Sequence, residues 1–240
     1  YKGRAIYLSR VECPIIINKL QNMCKVLIIF LSFVTFLSEL SGLEIAPFIH
    51  EFDPEKKEKN FQYYVTNKSD QPMAFTVGVF RRMQDENGND ILEKDDDSFT
   101  IFPQQIIVAP GSRSLVKVKW KGNAAFKENK SLEQAFRVRF DQYHIDTLGI
   151  SGLKAPKTRG TSIKVSLRID ASLYMCPKGS VGNVKIISQN GPMVTVQNIG
   201  TRRVLIREMP VLINGKKLTD LLDNKDGVVL PGARRKFKIR

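Results

Sequence analysis

Two histidines and a few acidic clusters are the places where this 240-residue chain could do chemistry. His50 and His144 stand apart from any cysteine or carboxylate pattern, and no H-x3-H spacing supplies the donor set a zinc ion needs. Both are expected as surface or sheet residues. "DENGND" places Asp85, Asn87 and Asn89 like the start of a calcium loop, but Asp90 stands at the sixth position, where that loop requires glycine, and the twelfth-position glutamate is missing. A hairpin turn is the expected reading, and the acidic "KDDDSF" from Lys94 onward reads as a solvated connection. No G-x-S-x-G, glycine-rich phosphate loop or paired serine and histidine appears. No catalytic residue, metal or cofactor is expected, so function must reside in a surface.

The formal charge of +14, from 38 Lys and Arg against 24 Asp and Glu, favours partners that carry negative charge. The basic residues are scattered along alternating segments such as "VKVKW", "FRVRF" and "KFKIR". Zinc-finger spacing, an RNP-type aromatic stretch and a basic zipper are all missing, so nucleic acid is not the expected partner.

Residues 23–42, "MCKVLIIFLSFVTFLSELSG", combine a short basic start, an apolar run from Val26 to Leu37 and a small, polar end. That is the layout of a secretory signal, and the run is short for a membrane span. Cleavage is expected after Gly42, an uncleaved anchor being the alternative, and no stable membrane insertion is expected of the mature chain. Met23 heads the signal, so residues 1–22 read as upstream translated sequence outside the fold. Loss of residues 1–42 removes Cys13 and Cys24 and leaves Cys176, so no internal disulfide is expected. Cys176 itself reads as a linker residue, with a reactive thiol as the alternative.

From Leu43 onward, short alternating segments ("FQYYVTN", "AFTVGVF", "FTIFPQQIIV", "SLVKVKW", "QAFRVRFDQYHI") are broken by turn chemistry at "NKSDQP", "DENGND" and "APGS". This predicts an all-β fold, with a sandwich of about seven strands over residues 43–175. An internal repeat marks a second unit over 176–240. "APGSRSLVKVK" at 109–119 returns as "LPGARRKFKIR" at 230–240, and "VTNKSDQPMAF" at 65–75 is echoed by "VQNIGTRRVLI" at 196–206. The 65 residues of this second sandwich fall short of the about 100 such a domain uses, so it is expected to be incomplete at its C-terminus.

"TSIKVSLRIDASLYM", residues 161–175, alternates without a fault, placing Ile163, Val165, Leu167 and Ile169 in one row. One sandwich face needs only part of such a strand, and the Gly-, Lys- and Pro-bearing stretch before it leaves the strand edge open.

These segments resemble the periplasmic chaperones of chaperone-usher pilus assembly, the PapD-like group, nearer its archaic long-loop branch. The likeness runs through "LEIAPFIHEFDP", "FQYYVTNKSDQPMAFTVGVFRR", "ILEKDDDSFTIFPQQIIVAPGSRSLVKVKW", "EQAFRVRFDQ" and "LPGARRKF". The resemblance implies two immunoglobulin-like domains, a periplasmic location, pilin subunits as clients and an outer-membrane usher as the receiving partner. It also implies that Ile163, Val165, Leu167 and Ile169 are a donor row that completes a client lacking its last strand. A structural or adhesive sandwich of the cell surface is the alternative.

In the P-pilus branch an Arg in the first strand and a Lys in the last hold the client's terminal carboxylate. Those positions fall here on Ile49, with His50 beside it, and on Ser172, neither of which supplies a charged donor. The cation must then come from elsewhere, and Arg81, Lys119, Arg137, Arg139 and Arg168 are candidates by lying on sheet strands.

Overall fold

The computed structural model describes residues 42–57, 59–143 and 166–240. Residues 1–41, which hold the upstream segment and nearly all of the expected signal, lie outside it, as do His144, Ile163 and Val165. Residues 43–240 form one compact unit, nearly all β, with two apolar cores.

The first core lies between two sheets. One contains β1 (Leu43–Ala46), β3 (Asn60–Asn67), β8 (Arg113–Trp120) and β6 (Phe99–Phe102), in that spatial order. The other runs β2 (Ile49–Phe52), β10 (Arg168–Met175), β9 (Gln134–Tyr143), β4 (Met73–Gln84), β5 (Asp90–Lys94), with β7 (Gln105–Val108) paired to the start of β4. Alternation decides which side chains meet between the sheets: Tyr63, Val65, Val116 and Val118 from the first face Phe75, Val77, Val79, Phe136, Val138, Phe140, Ala171 and Leu173 from the second. Trp120 packs edge-on to Phe52 and Phe99, near Phe136.

Among the described residues there are ten strands here instead of about seven, and two prolines account for part of the difference. A proline cannot donate to a ladder. At Pro47 the first strand breaks into β1 and β2, one in each sheet. At Pro103 the segment "FTIFPQQIIV" breaks into β6 and β7, which again join different sheets.

The second core is enclosed by β11 (Val184–Asn190), β12 (Met193–Asn198) and β17 (Arg234–Lys238), with short pairs β13 (Val204–Leu205) with β16 (Val228–Val229) and β14 (Leu212–Ile213) with β15 (Lys216–Lys217). Val194, Val196, Ile206, Leu218, Val229 and Phe237 fill it.

The sequence repeat is also a repeat of hydrogen bonds. Buried Asn67 donates through Nδ2 to the carbonyls of Gln71 (2.7 Å) and Val108 (3.0 Å), and its Oδ1 accepts from the Ser69 N–H. Buried Asn198 donates to the carbonyls of Arg202 (2.8 Å) and Val229 (2.9 Å), and accepts from the Gly200 N–H. Each latch ties a strand end to the Pro-Gly turn, whose glycine takes a left-handed φ of 65° at Gly111 and 75° at Gly232. Asn67→Ala and Asn198→Ala each remove side-chain bonds to at least three backbone groups and are expected to cost about 2–3 kcal/mol, read as a fall in the urea midpoint at constant m-value.

Charged groups join the two halves. Glu133, whose side chain has no exposed surface, accepts from Arg203 Nη1 at 2.8 Å and from the Arg203 N–H at 3.3 Å, while Arg203 Nη2 pairs with Glu51 and its guanidinium lies 3.7 Å from the Tyr174 ring centroid. Burial pulls the Arg203 guanidinium toward neutrality, but the charge of Glu133 and the hydrogen bonds to Cys176 and Glu133 together outweigh it and raise its pKa. Cys176 sits against the same carboxylate, Sγ to Oε2 3.3 Å; burial, then the Glu133 charge, pushes its thiol up to about 12. It is a protonated thiol at neutral pH, not a nucleophile. On the other flank the β4–β5 hairpin touches β17: the Lys236 N–H donates to the Glu86 carbonyl at 2.7 Å and their side chains pair at 2.6 Å.

Candidate functional site

β10 is covered unevenly. Along its whole length it pairs antiparallel with β9, from Arg168 opposite Asp141 to Met175 opposite Gln134. On its other side β2 runs parallel to it, and only from Ser172 opposite Ile49 to Met175 opposite Phe52. Among the described residues, no strand pairs with the second edge of Arg168–Ala171. Large apolar side chains surround that edge: Phe48 is 53% exposed, Ile49 58% and Leu167 39%. Of the row drawn from the sequence, Leu167 points outward, Ile169 packs partly on the first core, and Ala171 and Leu173 beyond it are fully buried.

Ile49 and Ser172, the two positions singled out in sequence, are direct neighbours across the β2–β10 pair, at the point where the uncovered edge begins. A positive charge lies one strand further in. Arg137 lies opposite Ser172 on β9 and donates from Nη1 to Ser172 Oγ at 2.5 Å. Its Nε and Nη2 both reach Asp90 Oδ2, at 2.9 and 2.7 Å, and Asp90 Oδ1 accepts from Arg82 Nε at 2.8 Å. Arg82 also donates to the Tyr174 hydroxyl at 2.9 Å. The cluster therefore holds two guanidinium groups on one carboxylate, with side-chain exposures of only 8% for Arg82 and 17% for Arg137.

The other candidates have different surroundings. Arg139 is clasped by both oxygens of Asp170, at 2.7 and 2.8 Å, a hydrogen bond that raises its pKa, and it lies over the Phe80 ring. Arg168 pairs with Asp141 at 2.5 Å. Both are one-to-one neutral pairs. Arg81 is exposed and sits opposite Glu93 and Phe136. Lys119 is exposed in the opposite sheet, between Asn60 and Thr100.

Asp90 and Arg82 did not stand out in the sequence. In sequence Asp90 is only the residue that breaks a calcium-loop pattern, and Arg82 lies beside Arg81 in "FRR". Asp85, at the head of that turn, accepts from Asn89 Nδ2 and from the Asn87 and Asn89 N–H groups, bonds that hold its carboxyl below the usual range, the Asn89 side chain contributing most. The segment is the turn joining β4 to β5. His50 donates to or accepts nothing charged; its ring lies edge-on to Tyr63, and Nε2 is 3.2 Å from the Gln62 carbonyl. Among the described residues no helix is long and apolar enough to cross a membrane.

No family model matches the chain, and no curated protein matches it. Solved structures do. The complex of CsuC with the tip adhesion subunit CsuE, from the archaic chaperone-usher Csu pili of Acinetobacter baumannii, aligns with a TM-score of 0.56 at 14% identity, over 82% of this chain and 90% of that one. The E. coli chaperone DraB gives 0.55 at 12% identity, over 82% and 84%. The Salmonella enterica complex of SafA pilin with the SafB chaperone gives 0.53 at 13% identity, over 84% and 86%. At these identities the likeness is one of fold, and the chain has the two-sandwich, immunoglobulin-like fold of pilus chaperones.

Proposed function

We propose that the chain is a periplasmic chaperone that binds pilin subunits by donor-strand complementation and delivers them to an outer-membrane usher. The observation that carries this reading is the uncovered edge of Arg168–Ala171, flanked by exposed Phe48, Ile49 and Leu167. A client strand pairing there gains backbone hydrogen bonds from β10 and packs its own open core on the row Ile163, Val165, Leu167 and Ile169. Ile169 already packs partly on the first core, and full burial of the other three is worth at most on the order of 4.5–9 kcal/mol before ordering entropy is subtracted. Client folding supplies the free energy, so the role needs binding and no catalysis.

Arg137 is the candidate we favour for the client's terminal carboxylate. It sits at the end of the uncovered edge, where Ile49 and Ser172 meet, and belongs to the cluster with a surplus positive charge. Co-expression with a donor-strand-deficient pilin is expected to yield a stable one-to-one complex. Arg137→Ala is expected to weaken it by roughly 10- to 100-fold, the worth of one or two charge-assisted hydrogen bonds. Arg139→Ala serves as the control of equal charge change. Equal effects of the two substitutions would discard Arg137 as the anchor, and failure to recover any complex from the unaltered chain would discard the chaperone reading.

A further inference from the structure

The outer face of the β9–β10 pair holds three arginines, each gripped by an aspartate: Arg137 by Asp90, Arg139 by Asp170 and Arg168 by Asp141. Only the first grip is shared. Asp90 divides its two oxygens between Arg82 and Arg137, whereas Asp170 and Asp141 each neutralise one partner. An incoming anion is thus favoured at Arg137 and not at Arg139 or Arg168.

All three nitrogens of Arg137 are nonetheless engaged, Nε and Nη2 by Asp90 and Nη1 by Ser172. Little of the side chain is exposed. Three of its five N–H groups are used, and a second carboxylate that takes the Nε–Nη2 fork must displace the first. Such an exchange is inexpensive here because Asp90 keeps its separate bond from Arg82 Nε through Oδ1, at 2.8 Å, when it lets go of Arg137. It is never left without a cationic partner.

We infer that Asp90 is a resident stand-in for the client's terminal carboxylate, closing the Arg137 site until a carboxylate tethered to a paired strand displaces it. This rests on the carboxylate-anchoring role proposed above. The consequence is selectivity. A bare guanidinium would bind any small anion, but a site already filled by Asp90 is won only by a carboxylate whose effective concentration has been raised by strand pairing along Arg168–Ala171. Asp90 therefore sets a threshold that a free anion does not pass and a docked chain does.

The test uses the full chain and two probes, the extended peptide acetyl-Val-Thr-Val-Thr-Val-Thr with a free C-terminal carboxylate and its C-terminal amide, with affinities read by calorimetry. The unaltered protein is expected to prefer the acid. Asp90→Asn is expected to tighten the acid by roughly ten-fold, the effect of removing one charged competitor, and to leave the amide unchanged. No preference in the unaltered protein would overturn the anchoring role itself. A preference for the acid that Asp90→Asn weakens, leaves alone, or extends equally to the amide would overturn the stand-in and spare the anchor. Asp90→Ser replaces the asparagine variant if that one does not fold, and if neither folds Asp90 is a structural cross-link and the inference is wrong.

Discussion

Arg203→Met is expected to lower the unfolding free energy by about 3–5 kcal/mol, the cost of leaving one member of a buried ion pair without its partner. The stranded group is Glu133, whose side chain has no exposed surface and whose remaining neighbours are the main-chain N–H of position 203 at 3.3 Å, the Cys176 thiol and Arg202 at 3.7 Å. Methionine keeps the bulk over Tyr174 but none of the five donors. If burial without compensation is the cause, Glu133→Leu added to Arg203→Met recovers most of the loss, since replacing both charges by apolar groups is close to neutral. Guanidinium unfolding followed by far-UV circular dichroism reads the whole fold, and the single tryptophan, Trp120, reads the first core alone. A tryptophan midpoint that moves with the dichroism means the network makes the two halves unfold together. A loss under about 1 kcal/mol, within the range of exposed pairs, would mean that the halves meet too loosely for the network to matter.

Val165→Asp combined with Leu167→Asp is expected to abolish client binding, weakening it by at least about 100-fold. Each substitution removes an apolar side chain worth about 1.5–3 kcal/mol on full burial. Each also brings a carboxylate that must be stripped of water inside the client's groove. The Leu167 change alone is expected to leave the protein's own stability within about 0.5 kcal/mol, as for other surface changes, because Leu167 is 39% exposed and precedes β10. Ile169 is left alone because it packs on the first core and would confound the result. Co-purification with a pilin and a thermal melt of the free variant together decide the matter. A well-folded variant that still carries its client would exclude donor-strand complementation through this row.

Much of the fold was legible because its signals are local. Strict alternation marks the strands, and two echoes in the same order, 65–75 with 196–206 and 109–119 with 230–240, mark two related units that share the asparagine latch. The neighbouring of Ile49 and Ser172, 123 positions apart in the chain, followed only from resemblance, and the register bears that adjacency. What stayed hidden depends on tertiary register. Asp90 meets Arg137 across 47 positions and Glu133 meets Arg203 across 70. Nothing in the one-dimensional spacing distinguishes those acids from their solvated neighbours. The same limit applies to Pro47 and Pro103, since a proline announces a break in a ladder but not which sheet the chain joins afterwards.

β2 runs parallel to β10 with Ile49 abreast of Ser172. Projected backwards in that register, residues 43–48 would lie abreast of 166–171. They do not, because β1 has crossed to the facing sheet and zipped onto β3, Leu43 against Asn67. Among the described residues, the unpaired edge of β10 is therefore the footprint of β1, cut off at Pro47. Its length is set by where a single ring-locked residue sends the backbone across the barrel of the sandwich, so moving that crossing point upstream would shorten the berth residue by residue without touching any side chain that lines it.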